Sequence, residues 1–530
     1  NTILSDPVEW LFTDNNLTVL LYNTSFARSN STIRFDGLLN STRSFNVSAA
    51  KVVPSFNNAF LNSTNLSFMN TSAFITFRGL SLITPYVTVS YGSTGPFETC
   101  DASVCTQQSY ASGTLVFNVS HFTNFSSEES PLDCGTIAQS RTLNQNVNSS
   151  GTCFTINAND VTLDCAGYTI NYSQSVQGFG VLSNGTNNVT IKNCNIVNVA
   201  QTGAHGINFT DVNNSIISNN SVAIDGAQSV GLFLQQSNNI VIANNTVNTT
   251  GTGGEKYGIL LTNQVTNITV ANNTIRTDGS SFNNFGIYLF STASGNSIRR
   301  NTITTNGTTT NHGIFLQTSV NNNTVINNTI STRGSGSDNY GIYLFSTAVG
   351  NIVHGNIINT SGTLGDYGIN LQTSANNNNI TNNTIRTRGP DGSNYGISLF
   401  GTVSGNIVQG NAIDTNGSND NHGVVLQISA NDNSIANNTI QIRGSGSNNI
   451  GIYIVTTSAR NLVQGNTIDT SGTANNYGMR LESSAHNNTL SDNNITTAGT
   501  GSYGIRITSS NGSVFNNTVL SSPAQWILID

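Results

Sequence analysis

Charged residues are scarce in this sequence. Asp, Glu, Lys and Arg make up 8 % of its 530 residues, and the formal net charge is -7. Because a basic surface is lacking, we expect no nucleic-acid partner. No apolar run approaches the roughly 18 residues that cross a membrane, so we expect no membrane span in this segment. The first residues also lack the basic and apolar regions of a signal peptide, which indicates a mature or excised portion.

Tryptophan, methionine and proline are rare as well, with two, two and seven residues. Asn, Thr, Ser and Gly are abundant instead, which predicts a surface that is polar but largely uncharged. The 36 % of hydrophobic residues suffices for a core if short strands are stacked repetitively.

The six cysteines all lie between residues 100 and 194, and their spacing favours disulfides over a metal site. No CxxC pair or neighbouring His supports zinc, so we expect no metal and no cofactor. The last two cysteines are separated by about one repeat of the pattern described below, which would place them on neighbouring levels of a stack. The expected pairs are Cys100 with Cys105, Cys134 with Cys153, and Cys165 with Cys194.

Asn-X-Ser/Thr sequons recur from Asn16 to Asn516. Composition alone accounts for many of them, because the chain is rich in Asn and Thr. Such acceptors are used only outside the cytosol, and together with the cysteines they predict an extracellular or cell-surface protein with N-linked glycans. The candidate glycosylation sites are Asn16, Asn62, Asn118, Asn272, Asn327, Asn382 and Asn437.

A repeat organises the chain from about residue 150 onward. Each unit begins with a glycine and an alternating apolar strand, and the unit from Gly286 to His312 contains three short strands separated by turn residues. Stacked units would pair each strand with its copy above and below, in parallel, around a column of Ile, Leu and Val. Between Gly286 and Gly478 the intervals alternate between 27 and 28 residues, so the period there is a 55-residue pair.

Asparagine marks one turn of each repeat. These residues precede a small residue and then an inward aliphatic one, so their side chains are predicted to form a hydrogen-bonded ladder as scaffold. The Asn before them in each NNT triplet, such as Asn272 or Asn327, is predicted to face water. The predicted ladder comprises Asn273, Asn301, Asn328, Asn356, Asn383, Asn411, Asn438 and Asn466.

Residues 1–130 lack the glycine period and contain short alternating strands such as STIRFDG, FITFRGL and TLVFNVS. This pattern predicts an antiparallel, Ig-like β-sandwich over 15–130. The acidic, serine-rich stretch from Ser126 to Pro131 is predicted to be a linker. The stacked coils are assigned to 131–530.

The coils resemble right-handed parallel β-helix proteins of the NosD type, through NNVTIKNCNI at Asn187 to Ile196 and the repeated NNTI turns. The segments at Phe60 to Leu80 and Thr114 to Ser126 are similar to β-sandwich modules that accompany such helices in large archaeal cell-surface proteins. The resemblance implies an all-β chain, with a β-sandwich followed by a right-handed parallel β-helix, for which the repeats indicate about 14 coils.

Two copies of one motif stand at the ends of the sequence, NTILSDPVEW and NTVLSSPAQW, and they contain both tryptophans. The second copy follows the last coil directly. We therefore interpret residues 1–14 as equivalent to the end of a preceding β-helix, which predicts tandem units or a head-to-tail assembly of copies of the chain. The predicted joint comprises Trp10, Leu11, Phe12, Trp526, Ile527 and Leu528.

Catalytic constellations are not evident in the sequence, so we expect no enzyme activity and no catalytic residue. The carboxylates fall singly in loops, as at Asp338 and Asp366. His205, His312 and His422 stand before the strand glycine, where other coils have Tyr, and are interpreted as members of a stack.

Two classes of function remain. The first is an extracellular structural protein, a unit of a glycosylated filament, stalk or sheath; the alternative is a carbohydrate-binding adhesin or a degenerate polysaccharide lyase. Phe290, Phe345 and Phe400 recur in every second coil. They would either form an outward stripe that binds sugars or a neighbouring filament, or cap the core at a corner.

Overall fold

A computed structural model describes residues 2–4, 10–12, 19–21, 23–42, 45–48, 51–92, 96–198, 201–521 and 526–529. The chain divides into two compact units, Asn1–Pro131 and Leu132–Asp530. Among the residues so described, regular structure consists of strands and one short 3-10 helix, Ser67–Met69. The predicted fold class, antiparallel sheets followed by a parallel stack of coils, is confirmed.

The first unit contains two larger sheets and two strand pairs. One sheet has the order Thr2–Leu4, Thr24–Arg28, Ser31–Phe35, Ala73–Phe77, Thr114–Val119, Cys105–Ala111. The other has the order Glu98–Thr99, Pro85–Ser90, Asn124–Glu129, Asn58–Leu61, Val52–Ser55. The strand pairs are Trp10–Phe12 with Phe45–Val47, and Val19–Leu21 with Leu39–Ser41. All these pairings are antiparallel except that of Thr2–Leu4 with Thr24–Arg28.

The core of this unit is rich in phenylalanine because alternate residues of both larger sheets point inward. Phe35 and Phe122 pack with ring centroids 5.3 Å apart, and Phe77 and Phe117 are 5.4 Å apart. These rings are buried together with aliphatic residues from both sheets. The unit is therefore a β-sandwich.

The linker predicted at Ser126 to Pro131 is wrong over most of its length. Ser126 to Glu129 belong to the strand Asn124–Glu129, which pairs with Pro85–Ser90. Phe125 and Ser127 are buried, whereas Tyr86 donates its hydroxyl to Glu128 over 3.0 Å. The polar composition therefore reflects an alternating strand with one solvent-facing side.

The second unit is a stack of coils in which three sheets run the length of the unit, with 16, 15 and 15 parallel strands. Sheet 1 comprises Gly135–Ile137, Phe154–Ile156, Phe179–Asn184, His205–Thr210, Val230–Gln235, Lys256–Thr262, Asn284–Phe290, His312–Gln317, Tyr340–Phe345, Tyr367–Gln372, Tyr395–Phe400, His422–Gln427, Ile450–Val455, Tyr477–Glu482, Tyr503–Thr508 and Trp526–Ile529. Sheet 2 comprises Arg141–Thr142, Thr162–Asp164, Thr190–Lys192, Ile216–Ser218, Val241–Ala243, Thr269–Ala271, Ser297–Arg299, Thr324–Ile326, Ile352–His354, Asn379–Thr381, Ile407–Gln409, Ser434–Ala436, Leu462–Gln464, Thr489–Ser491 and Val514–Asn516. Sheet 3 comprises Val147–Asn148, Thr169–Tyr172, Asn195–Asn198, Ser221–Ile224, Thr246–Gly251, Thr274–Gly279, Thr302–Gly307, Thr329–Gly334, Ile357–Ser361, Thr384–Arg388, Ala412–Asn416, Thr439–Arg443, Thr467–Ser471, Asn494–Thr497 and Val519–Ser521.

Each coil contributes the same kinds of residue to one continuous apolar core. In the coil that begins at His312, the inward residues Ile314, Leu316, Val325 and Ile330 have no exposed surface. Each lies in register with an aliphatic residue of the next coil, as Ile330 does with Ile358. Stacking therefore buries strands that are too short to form a sheet alone.

The strand glycine that marks each coil is required by a close approach between sheets 1 and 3. A Cβ added to Gly341 would lie 2.2 Å from Ile358 Cγ2 and 2.6 Å from the carbonyl oxygen of Gly368. Both distances are shorter than a van der Waals contact, so a side chain at this position would push the two sheets apart.

Asparagine ladders run along all three corners of the coil. The first ladder, before sheet 3, was predicted: Asn328 Nδ2 donates to Asn356 Oδ1 and to the carbonyl of Ile298, each over 3.0 Å. The second, before sheet 2, and the third, before sheet 1, were not predicted. The second ladder comprises Asn296, Asn323, Asn351, Asn378, Asn406, Asn433, Asn461 and Asn488. The third ladder comprises Asn284, Asn311, Asn339, Asp366, Asn394, Asn421, Asn449 and Asn476.

Candidate functional site

The outward face of sheet 1 has the densest array of aromatic side chains in the second unit. The residue before each strand glycine forms a first column, in which rings stack from coil to coil. His312 lies between Phe285 and Tyr340, with ring centroids 5.0 and 4.9 Å away and planes within 8° of parallel. The first column comprises Phe179, His205, Val230, Tyr257, Phe285, His312, Tyr340, Tyr367, Tyr395, His422, Ile450, Tyr477 and Tyr503.

The histidines are stack members, as predicted. His312 and His422 are almost wholly buried, and loss of hydration on burial lowers the pKa of each to about 3. Burial also lowers the pKa of His205 to about 4. A neutral imidazole with an apolar edge can take the place of a Tyr or Phe ring, so these residues fill the stack.

Two further columns lie beside the first. The second column places Phe315 between Tyr288 and Tyr343, with ring centroids 5.1 and 4.8 Å away. Its members are Tyr288, Phe315, Tyr343, Asn370, Ser398, Val425 and Tyr453. The third column alternates between aromatic and amide side chains, with the members Phe290, Gln317, Phe345, Gln372, Phe400 and Gln427.

The three phenylalanines of the third column, Phe290, Phe345 and Phe400, are neither fully exposed nor part of the core. Phe345 lies 5.5 Å from the outward Tyr343 ring. Of the two sequence interpretations, an outward stripe fits this placement better than a cap on the core.

The cysteines form the three predicted disulfides. The Cα atoms are 5.9 Å apart in Cys100–Cys105, 4.5 Å in Cys134–Cys153 and 4.7 Å in Cys165–Cys194. The last two bridges join the first coils of the stack to each other. They therefore fasten the end at which the parallel sheets would otherwise present a loose edge.

The candidate glycosylation sites lie in different settings. Asn272, Asn327, Asn382 and Asn437 are exposed, each with a φ of 54 to 56°. Asn62 and Asn118 of the sandwich are half-buried, and Asn16 lies outside the described residues. At the four coil sites the side chains face water, which leaves them accessible to a glycan.

The predicted joint is described only by its backbone. Trp10–Phe12 pairs antiparallel with Phe45–Val47 of the sandwich. Trp526–Ile529 pairs in parallel with Tyr503–Thr508, as the last strand of sheet 1. The two copies of the terminal motif thus both form strands but have different kinds of partner; their proposed equivalence stays a prediction.

The carboxylates are scattered along the stack. Asp414 lies 3.8 and 3.9 Å from the guanidinium groups of Arg388 and Arg443, whereas Asp366 is buried in the third ladder. Within the described ranges there is no group of three or more His, Cys, Asp or Glu residues that could hold a metal ion. Nor does that part of the chain contain a helix long and apolar enough to cross a membrane.

Solved structures with a similar arrangement include three proteins of low identity. The A-module of the mannuronan C-5 epimerase AlgE6 from Azotobacter vinelandii is 15 % identical over 71 % of this chain and 89 % of its own, with a TM-score of 0.28. A chain of the Vag8–C1 inhibitor complex is 13 % identical over 76 % and 100 %, with a TM-score of 0.44. The tailspike of E. coli bacteriophage HK620 is 12 % identical over 70 % and 74 %, with a TM-score of 0.39.

Comparison at the level of sequence gives a narrower result. No curated protein matches the chain. The family model described as a right-handed beta helix region matches residues 142–330 and 224–385. Together with the three parallel sheets, this match indicates that the second unit fits a right-handed β-helix.

Proposed function

We propose that this protein is an extracellular structural protein, one unit of a glycosylated filament, stalk or sheath at the cell surface, assembled from copies of the chain. The observation that carries the proposal is the continuity of the second unit. Its coils share one apolar core, and ladders of buried asparagines follow its corners. The 15 strands of sheet 2, spaced about 4.8 Å apart, span roughly 70 Å, which suits a stiff spacer.

An oxidising location is supported by the disulfides. All six cysteines are paired, and stable bridges of this kind are typical of secreted and cell-surface proteins. The exposed sequon asparagines of the coils fit the same location. The resemblance of the segments at Phe60 to Leu80 and Thr114 to Ser126 to β-sandwich modules of archaeal cell-surface proteins supports it as well.

Assembly is supported by the far end of the stack. Val514–Asn516 and Val519–Ser521 are the last strands of sheets 2 and 3. Their outward residues Val514 and Val519 are 57 % and 59 % exposed. Within the described residues these two strands have no partner on their far side, and a parallel edge without a partner is a surface on which another chain can add strands. The terminal motif, residues 517–526, contains the strand Val519–Ser521 and ends at Trp526.

The experiment is to measure the mass and shape of the full chain over a range of concentrations, by light scattering and negative-stain electron microscopy. We expect mass to rise with concentration and linear particles to appear. Trp10→Ala and Trp526→Ala are each expected to weaken association while the far-UV circular dichroism of the coils is retained. Phe56→Ala serves as the control, because Phe56 is 58 % exposed and lies outside the proposed joint.

A chain that stays monomeric at the highest concentration, and that forms no regular array on the native cell surface, would contradict the proposal. Equal association of the native chain and both Trp variants would show that copies assemble through a different surface. The first result would contradict the filament role, whereas the second would contradict only the proposed joint.

A further inference from the structure

The second column of sheet 1 changes character midway along the stack. Tyr288, Phe315 and Tyr343 occupy three successive coils, but the next two coils place Asn370 and Ser398 there. The first and third columns keep their large side chains through the same coils. The small residues therefore leave a gap between two taller walls.

This gap is a recess of about 140 Å³. Asn370 and Ser398 form its floor, and the ring of Tyr343 stands in the coil before it. Gln372, on one wall, accepts a hydrogen bond of 2.5 Å from the Tyr343 hydroxyl. The walls are formed by Tyr340, Tyr367, Gln372, Phe400 and Gln427.

The floor has polar atoms without partners. Asn370 is 2 % exposed and Ser398 is 0 % exposed. Within the described part of the chain, neither Asn370 Oδ1 nor Ser398 Oγ makes a hydrogen bond. A buried polar atom left without a partner has lost its hydration without compensation, so such atoms normally face a water or a ligand. Two of them at the bottom of one recess indicate a place where hydrogen-bonding groups enter from outside.

The lining defines the chemistry of the occupant. The Phe400 ring on the wall suits the apolar C–H face of a sugar ring, whereas the Tyr340 and Tyr367 rings stack in the first column and present their edges; amide and hydroxyl groups suit the hydroxyls of the sugar. No charged side chain lines the recess, so nothing there would compensate a charged ligand. A recess of this volume has room for several waters, or for the ring of one monosaccharide.

We propose that this recess binds one neutral sugar residue of an external glycan. Asn370 and Ser398 receive its hydroxyls on the floor, and the Phe400 ring contacts its C–H face. The site does not depend on the filament role, since it lies in the middle of the stack and uses none of the residues of the proposed joint.

Saturation-transfer NMR of the full chain tests this site, with the methyl glycosides of glucose, galactose, mannose and N-acetylglucosamine as probes at millimolar concentration. We expect transfer to at least one probe. Asn370→Tyr is expected to abolish it, because the ring fills the recess as Tyr343 fills the same position one coil earlier. Ser398→Ala removes one hydroxyl and is expected to weaken binding about tenfold.

Ser331→Ala is the matched control, since Ser331 faces outward on sheet 3, and it is expected to leave transfer unchanged. Far-UV circular dichroism confirms that each variant retains its strands. Absence of transfer to all four probes would overturn the proposal. So would transfer that persists in Asn370→Tyr, or a crystal soaked with the best probe that contains only water at Asn370 and Ser398.

Discussion

The side-chain amide of Asn339 donates a hydrogen bond of 3.0 Å to Asp366 Oδ1, where the third ladder has a carboxyl group in place of an amide. On the other side, Asp366 Oδ2 and Asn394 Oδ1 have no hydrogen-bond partner among the described residues. An amide at residue 366 would donate onward, as Asn311 donates to Asn339. A carboxyl group can donate only when it is protonated.

Asp366 should make the stability of the protein depend on pH between about 4 and 6. Loss of hydration on burial raises the pKa of its carboxyl group from 3.8 to about 6. The folded state favours the protonated form of the carboxyl group. The contribution of Asp366 to the unfolding free energy is therefore fully present below pH 3.8 and is lost as pH rises through about 6. We expect the Asp366 carboxyl group to contribute a loss of up to about 3 kcal/mol of unfolding free energy over that range, opposite in sign to the contribution of the buried histidines.

Denaturant unfolding at pH 4 and pH 8 measures this effect. Asp366→Asn is expected to remove the contribution of Asp366 to the difference between pH 4 and pH 8 and to stabilise the protein at pH 8, because an amide completes the ladder at any pH. Asp391→Asn, at an exposed position, should leave the dependence as it is. An equal dependence in Asp366→Asn and the native protein would contradict the assignment.

His312 should limit stability in acid. Burial lowers the pKa of its imidazole from 6.5 to about 3, so its contribution is present above pH 6.5 and is lost as pH falls towards 3. Phe285 occupies the same column one coil earlier, so His312→Phe fits the stack. At each pH, the unfolding free energy of this variant is compared with that of the native protein. We expect the difference to favour the variant by about 3 kcal/mol more at pH 4 than at pH 7.5. Thermal unfolding at both pH values decides the outcome.

A column of buried threonines offers a stabilising substitution. Thr305 is fully buried, and its hydroxyl has no partner among the described residues. Ile442, which lies in register with Thr415 and Thr470 of the same column, shows that a hydrocarbon fits there. We expect Thr305→Val to raise the unfolding free energy by about 1 kcal/mol. Thr304→Val, one residue earlier and facing outward, should change it by less than about 0.5 kcal/mol; a loss of stability in Thr305→Val would indicate a bound water.

Replacing a residue of the first ladder should strongly destabilise the protein. Asn328 Oδ1 accepts from the backbone and side-chain amides of Asn301, and Asn328 Nδ2 donates to Ile298 and Asn356. Asn328→Ala leaves these buried groups without hydrogen-bond partners. We therefore expect the unfolding free energy, measured by denaturant unfolding, to fall by about 2 to 4 kcal/mol. Asn327→Gly is the matched control, because Gly355 already occupies the same corner one coil later; a similar loss in both variants would contradict the ladder's role.

Glycans should follow the two-coil period along one corner. The exposed Asn327, Asn382 and Asn437 begin sequons, whereas the intervening corners have Gly355, Gly410 and Gly465. These glycines have a φ of 65 to 67° and no side chain. Each glycan would therefore have free space at the corner of the next coil. We expect glycopeptide mapping of the native protein to find these asparagines modified. Thr329→Val should remove the glycan at Asn327 alone; unmodified peptides throughout would contradict the expectation.

The sequence allowed the fold and part of the scaffold to be predicted because stacking repeats the same requirement in every coil. Gly341 and Asn328 recur at a constant interval, and a recurring residue with a known conformational role can be interpreted without a structure. Asn311 and Asn323 recur just as regularly, but Asn323 stands in a run of asparagines, and Asp366 interrupts the series of Asn311. These features concealed the two further ladders.

Other features depend on which residues of different coils share a column. The recess at Asn370 exists only because Tyr343 precedes it in register, a relationship that spans 27 residues of sequence. The strand that contains Ser126 was mistaken for a linker for a similar reason. Its partner, Pro85–Ser90, lies far away in the sequence, and local polarity outweighed the alternation of buried residues.

The alternation of 27- and 28-residue coils has a consequence for how such a chain changes in length over evolution. Because Phe345, Asn382 and Arg388 each return to an equivalent place after 55 residues, a duplication or deletion of one pair of coils joins surfaces that already fit each other. The core, the corner asparagines and the outward columns would all continue across the new junction. Length can therefore be gained or lost in steps of about 9.6 Å, whereas a single coil would put every later outward position out of phase.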